Sequence, residues 1–157
     1  MNAPTLHFTW SPLAQLTPAQ VLEMVSARIA VFVVEQNCPY QEVDAYDASA
    51  LHLFGWQGSA LAAYARIIGP NLKFAEPSIG RVMVAHAFRA HQYGRALMQE
   101  AIDLTMRTYP GQPIRLSAQS HLQGFYGSLG FVADSPEYLE DGIPHVDMLC
   151  RQPRSNP

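Results

Sequence analysis

The stretch from Ile79 to Leu104, IGRVMVAHAFRAHQYGRALMQEAIDL, restricts the chain to few folds. Ile79, Val82, Val84 and Ala85 form a short apolar run rich in β-branched side chains, which predicts a strand buried on both faces. The run stops at His86, Phe88 and Arg89. From Gly94 onward Ala96, Leu97, Ala101, Ile102 and Leu104 recur at helical spacing, and Tyr109-Pro110-Gly111 ends that pattern. A strand, a polar turn and a helix N-terminus together make a place for an anion. The first helical turn leaves N–H groups without partners, and the dipole adds roughly half a positive charge there. Arg89 and Arg95 flank the turn and Arg81 lies on the strand before it, so a diphosphate suits the chemistry. An ordinary strand-turn-helix with surface arginines has the same local signature.

The remaining elements follow in order. Leu6, Phe8 and Trp10 alternate with polar residues and predict an edge strand. Thr17-Pro18-Ala19-Gln20 is a capping box with proline at the first helical position. Val21, Leu22, Val25, Ile29 and Phe32 continue an apolar helical face, read as a helix from Pro18 to about Val25 and another from Ala27 to Glu35. Tyr40 to Ser49 reads as an acidic loop. Leu51 to Gln57 and Leu61 to Ile68 read as a hairpin across Gly58-Ser59. Ile114 to Ala118 is a buried strand, Leu122 to Leu129 a short helix with Gly130 as its cap, and residues 131–138 and 146–150 close the sheet. Met1 to Pro4 and Arg151 to Pro157 are expected to be loose.

At 157 residues and 48% hydrophobic composition, one domain with a sizeable core is expected. There is no apolar window long enough to span a membrane and no secretory signal pattern, so the expectation is a cytoplasmic protein. Cys38 and Cys150 are expected as free thiols. A net charge of −3 argues against a nucleic-acid partner. No His-x-x-x-His or paired-cysteine spacing supports a metal site.

The string from Arg89 to Met98 resembles the pyrophosphate loop of the Gcn5-related N-acetyltransferases. Arg89 and Gly94 match that pattern, while Gln92 stands where its first glycine is usual. Phe125-Tyr126-Gly127-Ser128-Leu129-Gly130-Phe131 is similar to a second family segment. Val31 to Gln36, Pro39 to Asp44, Leu116 to Gln119 and Tyr138 to His145 add to a resemblance to the ElaA-type subgroup over about Ser11 to Cys150.

The resemblance implies an α/β fold: a central, mostly antiparallel sheet, two splayed parallel strands, and helices on both faces. The implied cosubstrate is acetyl-CoA, with no metal. The implied reaction is direct attack by a primary amine of a small molecule or peptide in a ternary complex. A non-catalytic acyl-CoA-binding module is the alternative, and a homodimer is allowed. The implied diphosphate turn is Arg89, Ala90, His91, Gln92, Tyr93, Gly94 and Arg95. Val82, Met83 and Val84 would face the pantetheine and acetyl group, with Gln119 and Phe125 beside them. Tyr126 stands where the family's general acid stands, and a packed core tyrosine is the other reading.

Glu35, Glu42 and His145 are candidates for handling the amine proton, among further acceptor-side groups Asp44, His52 and Glu140. Glu35 is expected to have a pKa raised by desolvation. His52 reads better as a satisfied core histidine, and His121 as a helix cap. Nine of the 13 acidic residues fall in 29–65 and 116–150, segments without Lys or Arg. Acidic walls there would favour a cationic amine.

Overall fold

The structure, a computed structural model, describes residues 4–151. The loose start and polar tail expected from the sequence lie almost wholly outside the described residues. Strand β1, His7–Pro12, forms an edge paired antiparallel to β2, Leu51–Gln57. Gly58, at φ +60°, turns the chain into β3, Ala60–Ile68, as the glycine-containing connection predicts. Beyond lie β4, Ser78–Val84, and β5, Ile114–Gln119. Val132–Ala133 (β6), Tyr138–Glu140 (β7) and Ile143–Cys150 (β8) complete one mixed sheet. Its order is β1-β2-β3-β4-β5-β8-β6, with β7 also on β8.

Helix α1, Pro18–Ile29, covers one face, and α2, Tyr93–Thr108, covers the other. On the α2 side Leu97, Met98, Ala101 and Leu104 pack on Ala63, Ala65 and Ile67. On the α1 side Met24 and Val31 pack near Phe54, Tyr64 and Met83. Residues 61–68 of β3, sandwiched between these layers, are buried throughout. Helix α3, Gln123–Gly127, is short, and Gly130 just beyond it takes φ +100°.

Two expectations are corrected. The capping box forms: Thr17 Oγ1 accepts from Gln20 N at 3.1 Å, and Gln20 Oε1 accepts from Thr17 N at 2.8 Å. The helix it starts does not break near Val25, because no Pro or Gly stands there to stop it. It runs to Ile29 and continues as wide π-helical turns over Ala30–Glu35. Its buried stripe is Met24, Arg28 and Val31, whereas Leu22 is 70% exposed. The second correction concerns β4. Ser78, Ile79 and Met83 are buried, but Gly80, Arg81, Val82 and Val84 are only half-buried, because one edge of this strand opens onto a cleft.

Candidate active site

The sheet is held together across β4 and β5 by one parallel pair, Ser78 opposite Arg115. Past that pair the strands part. β4 follows β3, while β5 follows β8 through Ile114–Gln119. The β3–β4 register shifts between Tyr64 and Arg66, and Arg81 opposite takes φ +50°, the signature of a bulge that bends β4 away from β5. The gap continues as a cleft of about 660 Å³. Val82, Met83 and Val84 line one wall, and Leu116, Ser117 and Gln119 the other. An extended ligand carrying amides could pair with these strand edges.

Tyr126 and Leu122 also line the cleft. Tyr126 is 7% exposed and held edge-to-face by Phe125 and Phe131, with centroids 5.1 and 6.1 Å away. Burial pushes its phenol up to about 12. It is therefore protonated at neutral pH and available as a donor. Phe125 packs against the cation of Arg95 at 5.8 Å. Arg95 Nη2 donates to Ser128 Oγ at 2.6 Å, so the two sequence motifs meet in space.

At one end of the cleft Arg89 leads into the turn before α2. No side chain caps this helix at Gln92, so the first N–H groups are left to solvent or a ligand. Ala90, His91 and Gln92 are exposed. Tyr93 offers only its backbone to such a ligand. Its ring is in the core, and its hydroxyl donates to Pro4 O at 2.7 Å and accepts from Gln57 Nε2 at 2.9 Å. Ala90 and Gln92 both sit in the left-handed region, at φ +68° and +58°. A side chain there costs about 1–2 kcal/mol relative to glycine. Gln92→Gly is therefore expected to raise the melting temperature slightly, as read by calorimetry.

The expected raised pKa of Glu35 is overturned. Glu35 Oε2 accepts from Arg89 Nη1 at 2.7 Å, and this hydrogen bond holds the carboxyl below the usual range. The side chain is 38% exposed, so desolvation is too weak to oppose the cation. Arg89 Nε also donates to Val84 O at 3.1 Å. This ties the turn to β4.

Glu42 is buried at 3% exposure and its carboxylate is committed. Arg28 Nε and Nη2 donate to its two oxygens at 2.8 and 3.0 Å, and Arg81 Nε lies 3.1 Å from Oε1. Arg81 does not face the diphosphate turn. It reaches the other way, donating to Glu42 O at 2.8 Å and packing over Tyr40. Arg66 clamps Asp44 and Asp47 at 2.7 and 3.1 Å. The acidic walls expected from the sequence are thus largely neutralised, three arginines meeting Glu42, Asp44 and Asp47. Arg115 does the same for Asp134 of the second acidic segment at 2.8 Å, and it also pairs with Glu76, outside both segments, at 2.7 Å.

His52 is the satisfied core histidine that was expected. Its ring nitrogens meet Tyr64 Oη at 2.6 Å and Asp47 O at 3.0 Å, and burial holds its pKa low. His121 is not a cap. No side chain caps either short helix there, and His121 lines the cleft instead. His145 lines it too, with Nδ1 2.7 Å from Ile143 O and Nε2 3.5 Å from Glu140 Oε2. Its ring stacks on Tyr138, whose hydroxyl donates to Asp147 Oδ1 at 2.6 Å. Gln119 Nε2 reaches Gln36 Oε1 at 3.4 Å across the cleft. The Tyr138–Ser117–Asp147 cluster escaped sequence reasoning, since nothing local links positions 117, 138 and 147. Both cysteines are free and buried, and Cys38 forms part of the cleft wall. Among the described residues no group of His, Cys, Asp and Glu is arranged to hold a metal.

Residues 14–152 match the family model described as the acetyltransferase (GNAT) domain. The protein ElaA of Escherichia coli is 41% identical over 143 residues, covering 88% of this chain and 94% of its own. The crystal structure of that ElaA superposes with a TM-score of 0.87 at 38% identity, over 93% of this chain and 99% of that one. An acyl-CoA N-acyltransferase from Pseudomonas aeruginosa superposes with a TM-score of 0.89 at 41% identity, over the same shares of the two chains. The splayed sheet, the uncapped helix and these likenesses agree, and the chain belongs to the Gcn5-related N-acetyltransferase family, in its ElaA-type subgroup.

Proposed function

We propose that this protein transfers the acetyl group of acetyl-CoA to a primary amine by direct attack in a ternary complex. The observation that carries this reading is the cleft through the sheet between β4 and β5. An uncapped helix N-terminus stands toward one end and a protonated tyrosine in its wall. The diphosphate of CoA would rest on the N–H groups of residues 93–95 with Arg89 beside it. The pantetheine would lie along Val82, Met83 and Val84, and backbone N–H groups of that strand would hold the thioester oxygen.

Tyr126 would then meet the sulfur. Its phenol, near 12, lies above the reference thiol value of about 8.5, so full proton transfer is uphill by about 5 kcal/mol. Its contribution is a hydrogen bond to the sulfur as charge grows there, with solvent completing the thiol. The acceptor amine, with a reference pKa near 10.4, is mostly protonated at neutral pH, and freeing it costs about 4–5 kcal/mol.

Thiol release from acetyl-CoA with a panel of primary amines tests the reaction. Release that depends on the amine supports it. Tight CoA binding with no release for any amine would favour the non-catalytic acyl-CoA module. A charge contact to a phosphate is worth several-fold to tens-fold in affinity. Arg89→Ala is accordingly expected to weaken CoA binding about 10-fold. Glu35→Gln, which frees Arg89, should bind CoA no more weakly than the natural protein.

A further inference from the structure

The proton acceptor can be read from tautomer chemistry at the β7–β8 turn. His145 Nδ1 lies 2.7 Å from the carbonyl oxygen of Ile143. A carbonyl can only accept, so Nδ1 carries the hydrogen. In the neutral ring Nε2 is then a bare lone pair. It points to Glu140 Oε2 at 3.5 Å, an oxygen that also only accepts. Two acceptors facing each other call for a donor between them. Both residues line the cleft that Tyr126 lines. The ring cannot swing away, since it stacks on Tyr138 with centroids 6.1 Å apart and is only 9% exposed.

The charged and titratable groups around the ring are few. β7 presents Tyr138 and Glu140, and the turn after it Asp141. β5 presents neutral Gln119 opposite His145, the short turn packed on β8 brings His121, and Lys73, which lines the same cleft, brings a cation that acts on Glu140. Glu42 and Glu35, the other candidates, are each engaged by an arginine.

We propose that the acceptor ammonium docks between His145 and Glu140, that His145 Nε2 takes its proton, and that Glu140 is the positioning residue for both cations. This rests on the acetyltransfer reading above. The ammonium loses one proton to Nε2, and the freed nitrogen lone pair forms the N–C bond to the thioester carbon. The C–S bond then breaks and its electron pair leaves on sulfur, hydrogen-bonded by Tyr126. The nitrogen sheds its second proton as the amide forms. One proton ends on CoA thiol, and the other leaves the imidazolium for solvent.

The test uses two amine probes with acetyl-CoA at about pH 7.5: 2-phenylethylamine, largely protonated at that pH, and phenylhydrazine, largely a free base. General-base loss is worth about 100-fold. His145→Gln is expected to lose about that factor in kcat/KM for 2-phenylethylamine and only a few-fold for phenylhydrazine. Glu140→Gln is expected to raise KM for 2-phenylethylamine several-fold and leave that for phenylhydrazine unchanged. Equal losses for both probes in both variants would show a merely structural role and overturn the proposal. Nitrogen-15 NMR of the uncomplexed natural protein, which needs no acceptor, is expected to show the Nδ1–H tautomer at His145. The Nε2–H tautomer would overturn the assignment even if transfer is active. Absence of thiol release in the natural protein with every amine would instead overturn the acetyltransfer reading, and this assignment with it.

Discussion

Tyr126→Phe is expected to lower kcat for acetyl transfer by about 100-fold, close to 2.7 kcal/mol of transition-state stabilisation, the size seen when one preorganised donor is removed. The substitution deletes the hydroxyl alone. The ring keeps its edge-to-face contacts with Phe125 and Phe131, so neither fold nor cleft should change. No side chain among the described residues accepts a hydrogen bond from the Tyr126 hydroxyl, and its raised pKa has burial as its only cause. The donor is therefore uncommitted until a ligand arrives. The KM for acetyl-CoA should change by no more than about threefold, because neutral sulfur in the ground state is a weak acceptor. A variant with natural kcat would make Tyr126 a wall residue. A variant with raised KM and natural kcat would mean that it binds the ground state and the transition state equally.

How much of this was legible in the sequence depended on the distance between interacting residues. Thr17 and Gln20 cap a helix three positions apart, and the pair was readable because both partners lie in one turn. The strand-turn-helix from β4 to α2 was readable for the same reason, although the helix begins at Tyr93, one residue before the expected Gly94, with Gln92 as its uncapped N-terminus. The acidic loop was misread because its partners are remote. Arg28 meets Glu42 and Asp47 at separations of 14 and 19 positions, and Arg66 meets Asp44 at 22. Arg28 also falls just outside the segment without basic residues, so a count by segment hid its role. Arg81 was placed near the diphosphate by its position in the strand, yet its left-handed backbone turns its side chain toward Glu42. His145 drew notice as a residue type, but its tautomer depends on a carbonyl two residues earlier, which only the folded backbone reveals.

The largest stability effect is expected at Arg28, which is fully buried. Its guanidinium donates to both oxygens of Glu42 at 2.8 and 3.0 Å and to both of Asp47 at 2.7 and 3.1 Å, and it lies over the Tyr64 ring. Arg28→Ala leaves two buried carboxylates short of their cation, a loss worth about 3–5 kcal/mol. For a chain of this length that lowers the melting temperature by roughly 10 °C. Arg28→Lys should fall between, since an ammonium cannot make the paired contacts of a planar fork. The same cluster sets the acid limit of the fold. Burial alone would raise the Asp47 carboxyl, but the Arg28 hydrogen bond, the Asp44 amide and the charges of Arg28 and Arg66 outweigh it and hold the group well below the usual range. A depressed folded pKa gives stability that is complete above the unfolded value, near 3.9, and fades as pH falls below it toward the folded one. Urea titrations should therefore show Asp47→Asn costing stability near pH 7 and progressively less below about pH 4. A constant cost across that range would mean that Asp47 acts through packing and not through its charge. Arg28→Ala should also reach the cleft, because Glu42 joins Arg28 to Arg81 on the β4 bulge. If thermal stability falls while kcat/KM at 20–25 °C is unchanged, the cluster supports the fold without shaping the wall that faces the acceptor.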